Sequence, residues 1–97
     1  MDPRLDAFLS RCLLLDLETG PHGEIRKIGA LRGARTFLRQ GSFGAGEALA
    51  ELERFAGDTE LVLGHNLLGH DLPTLRARAS TPGLLRRRVV DTLYLSP

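Results

Sequence analysis

The sequence predicts an α/β domain in which five short strands and two amphipathic helices follow a brief N-terminal helix. Three observations carry this expectation. Apolar runs of strand length, such as Cys12-Leu13-Leu14-Leu15 and Leu61-Val62-Leu63, end at a polar residue or a glycine. Ala48, Leu49, Leu52, Phe55 and Ala56 recur at helical spacing between them. The order then reads strand, strand, strand, helix, strand, helix, strand, with elements of both kinds interleaved along one short chain.

Asp2-Pro3 caps a short helix with Leu5, Phe8 and Leu9 on one face. The run from Cys12 to Leu15 lacks alternation, which predicts a central strand covered on both faces and ending at Asp16. Gly20-Pro21-His22-Gly23 reads as a turn. Glu24 to Leu31 supplies Ile25, Ile28, Ala30 and Leu31 for a second strand, and Arg35 to Gln40 a third. The two form a hairpin about Arg32-Gly33-Ala34. Gly41-Ser42-Phe43-Gly44 is a loop.

In the helix that follows, Glu47, Glu51, Glu53 and Arg54 take the polar face, and Gly57 is the stop signal. Leu61-Val62-Leu63 is a buried strand ending at Gly64. Leu72, Leu75 and Ala79 share one face of a second helix, with Pro73 tolerated in its first turn. Thr81-Pro82-Gly83 is a loop, and Val89-Val90 a last strand ending at Asp91. The extended, mildly apolar ending at Leu95-Ser96-Pro97 reads as a domain interrupted before completion.

The 97 residues suffice for one domain, and 42% hydrophobic with 26% charged residues is the balance of a globular chain, not a disordered one. The net charge of +1 excludes a global positive field, so any contact with nucleic acid must come from local patches or a bound metal. Lys27 is the only lysine. Cys12 is the only cysteine, which excludes an intrachain disulfide and suggests an inert, buried thiol. There is no signal-peptide core and no apolar run of membrane-spanning length. A cytoplasmic protein without a membrane partner is the expectation.

Three acidic residues stand out by position. Asp16 ends the first strand and Glu18 follows two residues later, on the same side of an extended chain. Two such carboxylates repel, and a hard cation such as Mg²⁺ or Mn²⁺ relieves the conflict through oxygen ligands. From this pair alone, a metal site and two solvated loop carboxylates weigh equally. The segment Gly64-His65-Asn66-Leu67-Leu68-Gly69-His70-Asp71 runs from a strand end towards a helix. Asp71 there is either a helix cap or a third ligand. His65 and Asn66 are either turn residues or ligand contacts, because the ends of strands in open α/β sheets are where ligands bind.

Leu13 to Gly20, LLLDLETG, resembles the first motif of the DEDD superfamily of proofreading 3′→5′ exonucleases. Gly64 to Leu75, GHNLLGHDLPTL, resembles the second, with a step from Asn66 to Asp71 similar to that of family-B polymerase exonuclease domains. Val89 to Pro97, VVDTLYLSP, resembles the stretch that follows in many members. The resemblance covers most of the chain and rests on three motifs in the right order. It implies a ribonuclease H-like mixed five-stranded sheet with flanking helices, cut before the C-terminal helices. Residues 1–97 would then be a single partial exonuclease domain.

The resemblance further implies two Mg²⁺ or Mn²⁺ ions, about 4 Å apart, that make hydroxide from water and stabilise the leaving 3′ oxygen. Asp16, Glu18 and Asp71 become catalytic metal ligands, with Asp16 bridging both ions and Asp71 binding directly or through water. The substrate is the 3′ end of single-stranded nucleic acid, DNA in preference to RNA, contacted by Leu17, Thr19, Gly20, His65 and Asn66. Leu17 or Leu68 would pack on the terminal base.

The third motif, which supplies a histidine base and a fourth carboxylate, is absent from these residues. Asp91 does not match it, and His70 stands where the family usually has an aromatic residue. The parent polypeptide is expected to be a larger enzyme such as a helicase or polymerase, and this portion inactive alone. The alternative is a non-catalytic nuclease-like module that binds nucleic acid or a protein, using Arg76, Arg78 and the run Arg86-Arg87-Arg88 as a basic patch.

Overall fold

The computed structural model describes residues 2–78 and 82–94. Helix α1 (Pro3–Ser10) begins as Asp2-Pro3 predicts. The Asp2 carboxylate accepts the Arg4 N–H at 2.9 Å, and proline occupies the first turn, where its missing donor costs nothing. Strand β1 (Cys12–Thr19) runs past the expected end at Asp16, because β2 (Ile25–Arg32) pairs with it as far as Thr19. Strand β3 (Arg35–Gln40) completes the hairpin, with Arg32 opposite Arg35. Gly33 lies between them at φ +60°, a value that a side chain would make costly.

Helix α2 (Ala45–Ala56) buries Ala48, Leu49, Leu52 and Ala56 and ends at Gly57. Strand β4 (Leu61–Gly64) is followed by a single wide helical turn, Leu67–Asp71, that leads into α3 (Leu72–Arg78). A short helix α4 (Pro82–Arg86) then precedes β5 (Arg88–Asp91). Residues expected to form a loop at Pro82-Gly83 are therefore helical, whereas Thr81, Ala79 and the ending Leu95-Ser96-Pro97 lie outside the described residues.

The strands form one mixed sheet in the order β3-β2-β1-β4-β5. The hairpin contacts are antiparallel, and β1–β4 and β4–β5 are parallel. The α/β class and the five-stranded sheet flanked by helices are as the sequence predicts. One face of the sheet carries the core: Leu13, Leu15 and Leu17 of β1 pack with Ile28, Phe37, Val62 and the apolar sides of α2, α3 and α4. Complete burial of a leucine such as Leu49 or Leu52 is worth roughly 1.5–3 kcal/mol.

The opposite face departs from expectation. Cys12 is covered and its thiol donates to the Phe8 carbonyl at 3.3 Å, while burial pushes its pKa up against the opposing pull of Arg11. Beyond it, Leu14 is only half-buried, and Leu31 and Leu38 are exposed. Among the described residues, β1 is thus a central strand with one face packed and the other largely open. An unalternating apolar run cannot distinguish this from full coverage, because Leu14 is as apolar as Leu13.

Candidate functional site

The carboxyl end of β1 gathers most of the residues singled out by sequence. Alternation along the strand turns Leu13, Leu15 and Leu17 to the core and Leu14, Asp16 and Glu18 to the open face. Asp16 and Glu18 stay well exposed, and their two carboxylates converge on one cation. Lys27 Nζ lies 3.8 Å from Asp16 Oδ2 and 3.7 Å from Glu18 Oε1. The antiparallel register explains the contact, since Lys27 pairs with Glu18 and Gly29 with Asp16. A bulge follows: Thr19 pairs with Ile25, leaving Arg26 as the extra residue of β2.

Asp71 is held differently. Its side chain is nearly inaccessible, Oδ2 accepts the Leu17 N–H at 2.9 Å, and Oδ1 lies 3.0 Å from His70 Nδ1. It is therefore anchored to the peptide that separates Asp16 from Glu18. Burial raises its pKa. The hydrogen bonds from His70 and Leu17 oppose that shift, and the Asp16 charge adds to it. The second nitrogen of His70, Nε2, lies 3.1 Å from Thr19 Oγ1, so the imidazole links the wide turn before α3 to the end of β1. An ionised Asp71 accepts a hydrogen bond from Nδ1–H, and in the neutral imidazole this leaves Nε2 to accept from the threonine hydroxyl.

The wide turn from Leu67 to Asp71 is assembled by Asp91, the acid to which sequence reasoning gave no role. Asp91 Oδ1 accepts N–H groups from Asn66 at 2.7 Å and Leu93 at 3.1 Å, and Oδ2 accepts Leu68 N–H at 2.9 Å. Burial acts to raise the Asp91 pKa. The three N–H groups and the nearby His65 outweigh it and hold the carboxyl below its ordinary value. The Leu93 contact is an Asx turn, the one part of this arrangement that Asp91-Thr92-Leu93 signals locally. Asn66 adopts φ +60°, ψ +37°, a conformation asparagine tolerates better than most residues. Gly64 makes the entry tight: a Cβ there would stand 2.6 Å from the Leu15 carbonyl oxygen.

The remaining candidates separate. Leu17 is 3% exposed and belongs to the core, so its side chain does not reach solvent where a base would stack, whereas Leu68 is exposed. Gly20 N–H donates to the Glu24 carbonyl at 2.8 Å, and the space a side chain would need is filled by Glu24. His65 is exposed, with Nδ1 3.1 Å from Thr92 Oγ1.

The basic run divides. Arg87 turns inward to the Thr59 and Gly57 carbonyls just past α2, while Arg86 and Arg88 are exposed. A continuous Arg86-Arg87-Arg88 patch is therefore not formed. Arg78 donates to the Gly23 carbonyl at 3.1 Å.

No model of a known protein family matches the chain, and no curated protein matches it. Among the described residues, no three of His, Cys, Asp and Glu converge as a metal shell. Asp16 and Glu18 nonetheless suit a hard cation. They are exposed, share one face and already hold an ammonium group. Mg²⁺ is commonly bound by one or two carboxylates with water and substrate phosphates completing its shell. Asp71 has both oxygens occupied and would join such a shell through water or after releasing His70. No helix among the described residues is long and apolar enough to cross a membrane.

Proposed function

We propose that the chain is part of a DEDD-type 3′→5′ exonuclease domain with a ribonuclease H-like sheet, acting on single-stranded nucleic acid, DNA in preference to RNA. The observation that carries this reading is the pairing of Asp16 and Glu18 around one cation at the end of the central strand, with Asp71 anchored to the peptide between them. The strand order β3-β2-β1-β4-β5 is compatible with the fold this reading requires.

Asp16 and Glu18 would hold Mg²⁺ or Mn²⁺. A bound divalent ion supplies an activated water and a charge that stabilises the leaving 3′ oxygen. Asp71, anchored to the Leu17 N–H between them, would join the ion through water or after releasing His70. Leu68 offers an exposed apolar surface to a terminal base, and Thr19, His65 and Asn66 lie along the same strand ends. Hydrolysis at full rate needs a general base and a fourth carboxylate in addition to these residues.

Mn²⁺ titration followed by NMR tests the assignment. Paramagnetic broadening should centre on Asp16, Glu18 and the Leu17 amide, and Asp16→Asn with Glu18→Gln should abolish it. Broadening confined to other acidic residues, or none, would rule the metal reading out.

The alternative is a nuclease-like module that binds nucleic acid without catalysis. One observation favours it: His70 and Leu17 occupy both oxygens of Asp71. Metal-independent, salt-sensitive binding of single-stranded DNA would support that reading. Degradation of labelled DNA by a longer form of the chain with Mg²⁺ would exclude it.

A further inference from the structure

Lys27 has no role in the function proposed above, yet it holds the most telling position on the open face. It is the only lysine in a chain otherwise dependent on arginine. Its register places it opposite Glu18, one full pleat from Asp16, so it meets both carboxylates only by laying its stem back along β2. Gly29 makes that path available. The backbone there does not adopt the positive φ that would demand glycine. A Cβ at Gly29 would instead come into ordinary van der Waals contact with Lys27 Cε at 3.6 Å, so the stem lies directly over this residue.

The contact is suited to exchange. Nζ stands 3.8 Å and 3.7 Å from the two carboxylates, both of which are more than half exposed. These are ion pairs at long range, of the kind that contribute little in water. One ammonium against two carboxylates also leaves a residual negative charge, so the pair still attracts a divalent ion. A displaced lysine keeps its tether. Its ammonium stays on the open face beside Asp16, where an apolar groove of about 410 Å³ lined by Leu14, Leu31, Leu38 and Leu63 meets the charged end of the strand. A phosphate brought to the same edge would offer it an alternative partner. A flexible, strongly hydrated point charge suits such a transfer better than a planar guanidinium.

We propose that Lys27 is a tethered counter-cation. It neutralises Asp16 and Glu18 until a divalent ion replaces it, and it then binds a substrate phosphate. This inference rests on the metal reading of Asp16 and Glu18 and goes beyond it by giving one residue opposite effects on the two ligands.

The test measures Mn²⁺ affinity by electron paramagnetic resonance. It also measures binding of a short phosphorothioate oligothymidylate at saturating Ca²⁺, for the unmodified chain, Lys27→Met, Lys27→Arg and Arg26→Gln. Lys27→Met keeps the stem and should tighten Mn²⁺ about three- to tenfold, the range expected for losing two weak competing ion pairs. The same variant should bind the oligonucleotide more weakly, with a salt slope shallower by about 0.7, as for one lost phosphate contact on a single strand. Lys27→Arg should resemble the unmodified chain more than Lys27→Met does. Arg26→Gln, which removes a charge one residue away from a side chain paired with Glu24, should leave Mn²⁺ affinity unchanged.

Equal Mn²⁺ affinity in the unmodified chain and Lys27→Met overturns this inference while the metal reading stands. The same tightening in Arg26→Gln also overturns it, by making the effect one of overall charge. Unaltered oligonucleotide binding in Lys27→Met overturns the phosphate half. Failure of every form to bind Mn²⁺ at Asp16 and Glu18 overturns both the inference and the reading beneath it.

Discussion

Replacing Asp71 by asparagine should stabilise the chain, by an amount that grows with pH. Asp71 is 3% exposed, and burial raises its pKa despite the hydrogen bonds from His70 and Leu17. A carboxyl whose pKa is higher folded than unfolded contributes stability that is fully present below its unfolded value near 4. That contribution is lost as pH rises through the folded value. Each unit of upward shift corresponds to about 1.4 kcal/mol of folding free energy at neutral pH.

Asparagine carries no charge and can satisfy the same partners. Its oxygen accepts the Leu17 N–H, and its amide donates to His70 Nδ1. The other histidine tautomer then donates from Nε2 to Thr19. Asp71→Leu, by contrast, orphans the buried Leu17 N–H at a cost of about 1–3 kcal/mol, or roughly 5–20 °C in Tm for a domain of this size. Thermal unfolding of the three forms followed by circular dichroism from about pH 4 to pH 8 separates the cases. Asp71→Asn should melt near the unmodified chain at the acid end and above it at neutral pH, and Asp71→Leu below it throughout. A difference between Asp71→Asn and the unmodified chain that stays flat with pH, or changes sign, would refute the assignment of a costly buried charge.

Two further outcomes follow from the contacts described. Arg87→Ala should cost about 1–3 kcal/mol in urea unfolding by uncapping the carbonyls beyond α2, whereas Arg86→Ala and Arg88→Ala should stay within about 0.5 kcal/mol. Asp91 has the opposite linkage to Asp71. Its lowered pKa gives stability that is present above about pH 4 and lost as pH falls through the folded value. Protection of the Asn66 and Leu68 amides, read by NMR hydrogen exchange and normalised to the intrinsic rate at each pH, should therefore fall below that pH while Leu13 and Val62 keep theirs; an equal loss of protection at all four would disprove local release of the loop.

The strands, the long helix and the hairpin were legible in the sequence because each is specified by neighbours. Arg35 to Gln40 and Ala48 to Ala56 carry their own periodicity, and Gly33 and Gly57 mark their limits. What escaped local reading depends on residues far apart. Helix α4 has only five residues and begins with two turn formers. It is held by Glu53 of α2, which accepts the Gly83 and Leu84 N–H groups, although helical spacing puts Glu53 on the solvent side. The same separation hid the inward turn of Arg87. At the site, Asp16, Glu18 and Asp71 were readable as residues but their relation was not. The Lys27 contact needs the β1–β2 register, and the Asp71–Leu17 bond spans 54 positions. The open face of the sheet is invisible for a simpler reason: leucine marks an exposed position here as readily as a covered one.

Asp91 imposes a timetable on the growing polypeptide. The Asn66 and Leu68 amides wait for an acceptor that is synthesised 25 and 23 residues later. Until β5 has left the ribosome and docked on β4, the segment between β4 and α3 has a sheet to start from but nothing to fix its path. The hairpin and the β1–β4 pairing can form beforehand. A nascent chain would thus acquire the hairpin that carries Asp16, Glu18 and Lys27 first, and the turn that brings Asp71 to the Leu17 amide last.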